Sequence, residues 1–314
     1  MKFLFIIDDW RDLELAGDTS YALMLESASQ GIEVYTCKVG DLGIQGVDAV
    51  AWVQKTGVQE SKSNIDAFDF DPATSMKLAD FDAVWMRKDP PLDTQYLHAT
   101  WILERARDKT LLINDPRGLR ELNEHLSILS FEEFIPDTIV TRSEVTLRAF
   151  MKDMGGSVVI KPIDGYGGRG VFVVNEKDPN RGSLFESATS SGQDWTMAQR
   201  YVPEAKLGDK RIILCDGDVM GAVLRVPPKT EARGNLHVGG RAQKTTLTKR
   251  EEQIVEKIRP LFKKWGILFA GIDVIGDYLT EINITSPTGI RQISELNDEN
   301  TTKKVIDKMS SLIR

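Results

Sequence analysis

Short apolar runs and a helical spacing alternate at the start of the chain. Residues 3–7 form an apolar run that ends at Asp8, residues 19–30 place apolar side chains at the spacing of a helix, and residues 32–35 form another apolar run. A strand, a helix and a strand in this order predict a βαβ unit. The first run is too short for the apolar segment of a signal peptide, so we interpret it as a buried strand.

The same alternation continues further along the chain. Residues 81–86 predict a buried strand, residues 94–108 a helix and residues 111–114 another strand. The turn at residues 8–12 carries three carboxylates and no Gly-x-Gly-x-x-Gly pattern, so it would repel a pyrophosphate rather than bind it. We therefore expect a Rossmann-like topology without a dinucleotide site.

Shorter elements follow in the rest of the chain. A helix is predicted over residues 116–130, another over residues 144–154, and a third from Thr248, where Glu251 completes a capping-box spacing, towards Gly266. This part of the chain is predicted to be α+β, so the whole fold combines α/β and α+β parts. Apolar runs predict strands at residues 138–140, 158–161, 171–174, 211–214 and 222–225 and on both sides of Gly276.

Composition excludes several classes of protein. The 314 residues are 41% hydrophobic and 28% charged, as in ordinary globular proteins, and the formal net charge is -7. Because nucleic-acid binding needs an excess of Lys and Arg, we expect no nucleic-acid partner. No run of about eighteen apolar residues appears, which predicts no membrane span and a cytoplasmic location. Cys37 and Cys215 are too isolated to predict a disulfide framework or a zinc site.

A glycine-rich loop joins two predicted strands at residues 161–170. It begins with Lys161 and has glycine at four of its last six positions. Glycine lets main-chain N–H groups approach phosphate oxygens closely, and a lysine at the start of the loop supplies a positive charge. The loop therefore favours a nucleotide-binding site, and a flexible turn is the alternative.

A predicted hairpin at residues 271–283 carries candidate metal ligands. Asp273 lies on its first strand, and Glu281 and Asn283 share one face of its second strand. Two carboxylates with an amide oxygen suit Mg²⁺. A three-residue loop at residues 276–278 would place Asp273 opposite Glu281, whereas a two-residue turn would send them to opposite faces. Both registers stay open. The alternative to a metal site is that these polar residues form the solvated edge of an amphipathic hairpin.

A long polar segment without periodicity covers residues 226–241. Loops of this length are usually functional or disordered. Arg225 before the segment and Arg233 within it could stabilise charge on a transferred phosphoryl group while the segment excludes water. The segment is therefore a candidate lid, and a mobile surface loop is the alternative.

Taken in order, the lysine-led glycine loop, the Arg/Gly segment and the Asp…Glu-x-Asn hairpin are similar to the ATP-grasp layout. The chain resembles the bacterial glutathione synthetase family in its motifs at residues 86–91, 160–162, 233–235, 239–240 and 279–288. The resemblance spans nearly the whole chain and keeps the order of the motifs. It implies three parts: a Rossmann-like, pre-ATP-grasp substrate domain (1–121), a central lid half of the ATP-grasp fold (122–202) and a C-terminal half with the metal site (203–314).

The resemblance implies an ATP-dependent ligase that joins γ-glutamylcysteine to glycine. The cysteinyl carboxylate would attack the γ-phosphate of ATP, and the glycine amine would displace phosphate from the resulting acyl phosphate. The family also implies Mg²⁺ or Mn²⁺ and a homo-oligomer, either a tetramer or a dimer. The alternatives are another ATP-grasp ligase and a nucleotide-binding regulator without catalysis.

Individual residues receive roles from the same resemblance. ATP contacts are implied for His125, Lys161, Gly165, Tyr166, Gly167, Gly168, Gln199, Tyr201, Val202, Asp209 and Lys210. Catalytic contacts to phosphate and acyl phosphate are implied for Arg211, Arg225, Arg233, Gly239 and Gly240. Metal ligation is implied for Asp273, Glu281 and Asn283, and substrate contacts for Asp18, Ser20, Arg87, Ser286, Thr288 and Arg291.

Two positions depart from the family pattern. His125 stands where the family usually has an ATP-binding lysine, and Arg200 stands where it often has a small amide residue. An unperturbed histidine has a pKa of about 6.5, so we expect ATP to bind more tightly as the pH falls from about 8 to about 6. A solvent-facing histidine without a role is the alternative.

Overall fold

The computed structural model describes residues 1–228 and 239–313. The strands of its first sheet are β1 (Lys2–Ile6), β2 (Glu33–Cys37), β3 (Leu42–Gln45), β4 (Asp48–Val58), β5 (Phe68–Phe70), β6 (Thr74–Lys77), β7 (Ala83–Met86) and β8 (Leu111–Ile113). Strands β2, β1, β7 and β8 are adjacent and parallel, as the predicted βαβ pattern requires, and β4 extends the sheet antiparallel to β2. The helices of this region are α1 (Thr19–Ser29), α2 (Asn64–Ala67), α3 (Thr94–Glu104) and α4 (Pro116–Glu121).

The second sheet is antiparallel and has its own core. It contains β9 (Thr138–Thr141), β10 (Ser157–Pro162), β11 (Phe172–Asn175) and β12 (Thr196–Arg200), in the order β11-β10-β12-β9. Helices α5 (Glu144–Asp153) and α6 (Arg181–Ala188) accompany it. Leu147, Val158 and Phe185 are fully buried in the cluster that these elements form. The glycine loop leaves this sheet between β10 and β11.

The third sheet is also antiparallel and carries the predicted hairpin. It contains β13 (Asp209–Cys215), β14 (Asp218–Val226), β15 (Arg241–Lys244), β16 (Phe269–Ile275) and β17 (Tyr278–Asn283), in the order β15-β14-β13-β16-β17. The remaining helices are α7 (Lys249–Trp265), α8 (Ile290–Asn297) and α9 (Thr301–Leu312). Short 3-10 helices lie at Trp10–Asp12, Val39–Asp41, Leu78–Asp80, Leu126–Ser130, Glu132–Phe134 and Pro203–Leu207.

Helix α7 follows its sequence signals closely. The Thr248 side chain accepts a hydrogen bond from the Glu251 N–H, and Glu251 accepts one from the Thr248 N–H, so the predicted capping box is present. Ile254, Ile258 and Phe262 lie on the buried face, and Gly266 ends the helix in the left-handed conformation. None of the described helices has the length and apolar character needed to cross a membrane.

The first and third sheets are joined by a buried asparagine at the end of β8. The Asn114 side-chain nitrogen donates to the carbonyl oxygens of Phe269 and Ile284, each at 2.7 Å. Its side-chain oxygen accepts from the N–H groups of Leu268 at 2.8 Å and Phe269 at 2.7 Å. The Trp85 ring packs edge-on against Phe269 next to this contact. The first and third sheets share two buried clusters, whereas the second sheet has a cluster of its own and contributes Met197 to one of the shared clusters.

The predicted helix over residues 116–130 is wrong. Helix α4 ends at Glu121, and a separate 3-10 helix begins at Leu126. The Asn123 side-chain oxygen accepts from the N–H groups of His125 at 3.0 Å and Leu126 at 2.8 Å, which closes a turn in place of a helical hydrogen bond. The break turns Glu124 and His125 towards the third sheet.

Candidate active site

Two cavities meet between the second and third sheets. The first lies against β10, β11, β16 and β17, and the second extends from β17 towards the ends of β1 and β7. Tyr166, Arg225 and Glu281 line both cavities, so the two open onto each other at these side chains. The second cavity has a volume of about 490 Å³, which is in the range of small-molecule sites.

The first cavity has apolar walls and a positive end. Val159 and Val173 of the second sheet face Ile275 of the third sheet across it. Seven of the predicted ATP contacts line it: His125, Lys161, Gly165, Tyr166, Gly168, Tyr201 and Asp209.

Lys161 supplies the positive charge of the first cavity. Its side chain is buried, and its Nζ donates to the Thr280 carbonyl oxygen at 2.8 Å. No described carboxylate forms an ion pair with this Nζ. Burial lowers the pKa of Lys161 to about 8, although Glu281 and Asp273 act in the opposite direction. A buried cation without a direct counter-ion suits an anionic ligand.

The glycine loop uses conformations that favour glycine. Gly167, Gly168 and Gly170 have φ values of +59°, +74° and +73°. A Cβ atom on Gly170 would also lie 2.8 Å from the Pro162 ring. The loop therefore folds tightly over β10 and passes between the two cavities, with Gly168 lining the first and Gly167 the second.

The sequence allowed two registers for the hairpin of β16 and β17, and a β-bulge in the structure determines which one forms. Strands β16 and β17 are joined by the two-residue turn 276–277, yet Asp273 pairs with Glu281. A two-residue turn alone would place these carboxylates on opposite faces, but Thr280 has no partner in the ladder and restores the alignment. The Thr280 hydroxyl donates to the Asp273 carbonyl oxygen at 3.1 Å. Both predicted carboxylates therefore reach the first cavity.

Asp273 is held by two buried arginines. Both of its oxygens accept from Arg211, and Arg225 forms a second ion pair with it at 2.8 Å. Arg225 also pairs with Asp209. Burial alone would raise the pKa of Asp273, but the two guanidinium groups outweigh it and hold that pKa well below its ordinary value. Asp273 therefore stays ionised and holds Arg225 at the junction of the cavities and Arg211 in the second cavity.

Glu281 lacks such compensation. Burial and the neighbouring charge of Asp273 raise its pKa to about 8, against the attraction of Lys161. Two buried carboxylates on one face need additional positive charge, which a divalent cation would supply. Turning over the Asn283 amide would let it donate to Glu281 at 3.2 Å and accept from Arg211 at 3.2 Å. Glu281 and Asn283 thus fit a Mg²⁺ ion as donors, whereas both oxygens of Asp273 already accept from arginines.

The predicted metal site would use two types of ligand, carboxylates and an amide. In the described part of the chain, no group of three or more His, Cys, Asp and Glu side chains is placed to hold a metal ion. The predicted set instead combines two carboxylates with one amide, and it is poor in protein ligands, as Mg²⁺ sites beside phosphates are.

His125 is buried in the first cavity, which contradicts the alternative of a solvent-facing side chain. Its Nδ1 lies 3.2 Å from the Ile163 carbonyl oxygen and its Nε2 lies 3.6 Å from Glu281 Oε1. Burial and the charge of Lys161 lower the pKa of His125 to about 3. The imidazole is therefore neutral between pH 6 and 8 in the unliganded protein. The expectation that ATP binds more tightly as the pH falls concerns the complex, in which phosphates would favour the imidazolium, and it stays a prediction.

The second cavity brings together part of the predicted substrate set. Ser286 and Thr288 line it. Arg87 is buried behind them, where its Nε donates to Ser20 Oγ at 3.0 Å and its Nη2 donates to the Pro287 carbonyl oxygen at 3.1 Å. Its Nη1 has no hydrogen-bond partner among the described residues.

The match to known families agrees with this geometry. Residues 1–120 match the family model of the prokaryotic glutathione synthetase N-terminal domain, and residues 124–298 match that of the ATP-grasp domain of the same family. The chain belongs to the prokaryotic glutathione synthetase family. Family membership confirms the predicted family, the predicted fold class and an ATP-dependent ligase.

Named relatives support the same assignment over the full length. The glutathione synthetase of Vibrio cholerae is 40% identical over 316 residues, which cover 100% of this chain and 98% of the relative. That of Synechocystis is 42% identical and covers 98% of each chain. The crystal structure of a D-cycloserine synthetase aligns with a TM-score of 0.68 over 99% of this chain and 100% of its own, at 15% identity, which supports the fold alone.

Several described residues that the synthetase family resemblance singled out do not line either cavity. Gln199 donates to Thr138, and Lys210 pairs with Glu251 at the start of α7. Arg291 pairs with Glu60 on the outer surface. Asp18, Val202, Gly239 and Gly240 do not line either cavity, Arg200 pairs with Asp137, and Arg233 lies outside the described residues. The Asp18 side chain caps α1 by accepting from the Tyr21 N–H at 2.6 Å.

Sequence reasoning missed several residues that line the second cavity, and three of them have polar side chains of interest. Glu124 accepts hydrogen bonds from the Ile284 and Thr285 N–H groups and from the Thr285 hydroxyl. Arg169 of the glycine loop and Gln292 of α8 also line this cavity. The charge of Arg169 beside four glycines was a signal in the sequence, whereas the position of Glu124 depends on the break between α4 and the next 3-10 helix.

Proposed function

We propose that the chain catalyses the ATP-dependent ligation of γ-glutamylcysteine and glycine, giving glutathione, ADP and phosphate. The observation that carries this proposal is the junction of the two cavities at Arg225 and Glu281. A nucleotide in the first cavity would direct its terminal phosphate at a carboxylate in the second. This arrangement supports transfer of a phosphoryl group between two bound substrates.

The protein groups in this mechanism position charge and exclude water. Lys161 and the main chain of the glycine loop would bind ATP phosphates, because they present positive charge and close backbone approach. Arg211 and Arg225 would stabilise the transferred phosphoryl group, and Asp273 holds both guanidinium groups in place beforehand. A Mg²⁺ or Mn²⁺ ion held by Glu281 and Asn283, and by Asp273 after exchange of one of its arginine contacts, would neutralise phosphate charge when bound.

The chain itself need not supply a nucleophile. The substrate carboxylate would attack the γ-phosphorus and form an acyl phosphate with release of ADP. The glycine amine would then attack the acyl carbon, release phosphate and lose a proton to form the amide. Cys37 and Cys215 are buried away from both cavities, which agrees with this division of roles.

The test measures the reaction products in the presence and in the absence of glycine. The purified protein is incubated with ATP, Mg²⁺ and γ-glutamylcysteine, with and without glycine, and ADP, phosphate and glutathione are quantified. We expect equal amounts of ADP and glutathione only in the complete mixture. Ligation of a different amine in place of glycine would favour another ATP-grasp ligase, and nucleotide binding without any turnover would favour the non-catalytic regulator.

Three further properties belong to this proposal. We propose a homo-oligomer, a tetramer or a dimer, as the family resemblance implies, and sedimentation of the purified protein tests it. We also propose a cytoplasmic location and the division of the chain at residues 121 and 202. Limited proteolysis at these two boundaries would test the division.

A further inference from the structure

The glycine loop directs an arginine towards the second cavity. The Arg169 N–H donates to the Tyr166 carbonyl oxygen at 3.1 Å, which closes a turn around Gly167 and Gly168. Tyr166 lines both cavities, whereas Arg169 lines only the second. Its guanidinium lies over the Tyr166 ring, 5.4 Å from the centroid. The loop thus places Lys161 at the first cavity and Arg169 at the second.

Arg169 differs from the other arginines at this cavity in its partners. Arg211 and Arg225 are both committed to the carboxylate of Asp273. Arg169 forms no ion pair with a described carboxylate, and its guanidinium has one long polar contact among the described residues, from Nη1 to the Tyr166 hydroxyl at 3.4 Å. Its charge is therefore uncompensated within the described residues. A guanidinium in this state can bind a carboxylate with two parallel hydrogen bonds.

We propose that Arg169 binds the carboxylate of the amine substrate and thereby selects an amino acid over a neutral amine. This inference rests on the proposed function. It adds a specificity-determining residue that neither the sequence motifs nor the family match assigns.

The position of Arg169 favours the amine substrate over the peptide substrate. The amine must attack the acyl carbon at the junction of the cavities, and in an α-amino acid the carboxylate is separated from the amine by one carbon. This carboxylate must therefore lie close to the junction, where Tyr166 and Arg169 are. The unreactive carboxylate of γ-glutamylcysteine lies at the other end of that substrate, many bonds from its reacting group, and would extend towards Gly17 and Asp89.

The experiment compares glycine with glycinamide, which keeps the amine and lacks the carboxylate. Arg169→Gln should raise the KM for glycine about tenfold, since a charge-assisted contact from an exposed side chain is lost. It should leave the KM for γ-glutamylcysteine and ATP unchanged, and it should leave turnover of glycinamide equal to that of the wild type. Arg169→Lys, which keeps the charge without the planar fork, should recover part of the loss.

Arg142→Gln is the matched control. Arg142 lies in the same sheet region, stacks over Trp195 at 5.4 Å and is remote from both cavities. It should behave as the wild type with every substrate. Thermal unfolding of all variants checks that the fold is intact, and intact folding is expected because Arg169 is exposed.

Three outcomes would overturn the inference. The first is an equal loss with glycine and glycinamide, which would give Arg169 a structural role. The second is a loss confined to the KM for γ-glutamylcysteine, which would assign the arginine to the peptide carboxylate. The third is an Arg169→Gln variant that matches the wild type with glycine. Failure of the wild type to join γ-glutamylcysteine to any amine would instead defeat the proposed function.

Discussion

Asp273 lies directly opposite Glu281 in the ladder between β16 and β17, although only two residues connect the strands. Thr280 makes this possible because it bulges out of the ladder and shifts the register by one residue. The two carboxylates consequently share one face, and their mutual repulsion is expressed in the raised pKa of Glu281. A buried pair of this kind is suited to a site that acquires a cation with its substrate.

Replacing Glu281 with Gln should separate activity from stability. We expect Glu281→Gln to lower the ligase rate by about 100-fold or more, because it removes a negative donor for the metal. The melting temperature should stay within about 3 °C of the wild type, since the change also removes a buried carboxylate next to Asp273. Steady-state ADP release and thermal unfolding measure the two effects. The exposed Glu256→Gln serves as the control, and wild-type activity of Glu281→Gln across Mg²⁺ concentrations would contradict the assignment.

Glu124 should fix the segment that follows β17. One of its oxygens accepts from the Ile284 N–H at 2.7 Å and from the Thr285 N–H and hydroxyl at 3.0 Å each. Glu124→Ala would leave these buried donors without a partner, and we expect a loss of about 2–4 kcal/mol in the free energy of unfolding. Glu124→Gln keeps an acceptor oxygen and should cost less than about 1.5 kcal/mol. Urea unfolding compares the two variants, and equal losses would show that the hydrogen bonds are unimportant.

Gly118 should be intolerant of a side chain. A Cβ atom there would overlap the Trp265 carbonyl oxygen and lie 2.8 Å from Ile267 Cδ1, where α4 meets the end of α7. We expect Gly118→Ala to destabilise the protein by about 3 kcal/mol or more, because backbone must move. Gly40→Ala is the control, since no atom lies within 4 Å of its added Cβ. Similar unfolding midpoints for the two variants would refute the packing argument.

Both cysteines should be inert in the folded protein. Burial raises the pKa of Cys215 to about 12 and also raises that of Cys37. At pH 8 a thiol with such a pKa is ionised in only about one molecule in ten thousand, so alkylation should be negligible until urea unfolds the chain. Mass spectrometry counts the modified thiols in both states. Rapid labelling of the native protein, or loss of activity after the reagent is removed, would argue against buried, non-catalytic thiols.

The hydrophobic pattern predicted the parallel strands and α7 because their signals are local. Strands β1 and β7 are continuous apolar runs, and the capping box of α7 lies within four residues. The strands between residues 42 and 77 were missed, although residues 49–53 form an apolar run as long as that at residues 3–7. In β4 buried positions alternate with more exposed ones such as Trp52, which is 60% exposed, as in a strand with one side towards solvent.

The chemistry of the site depended on contacts that sequence spacing does not contain. The candidate ligands were identified from their residue types, but their common face required the bulge at Thr280. The neutral state of His125 follows from burial and from Lys161, which lies 36 positions further along the chain. The direction of Arg169 follows from a turn within four glycines. The first and third points depend on local backbone geometry, and the second depends on a contact between distant parts of the chain.

The four hydrogen bonds of Asn114 have a consequence for synthesis on the ribosome. Asn114 leaves the ribosome 155 residues before its partner Phe269. At ordinary elongation rates this interval is about 10–30 s, during which the end of β8 has unsatisfied polar groups and the first sheet has an uncovered apolar face. The second sheet, which has a buried cluster of its own, can fold within the interval. A nascent chain arrested before residue 269 should therefore bind chaperones through its first sheet and release them once β16 has emerged.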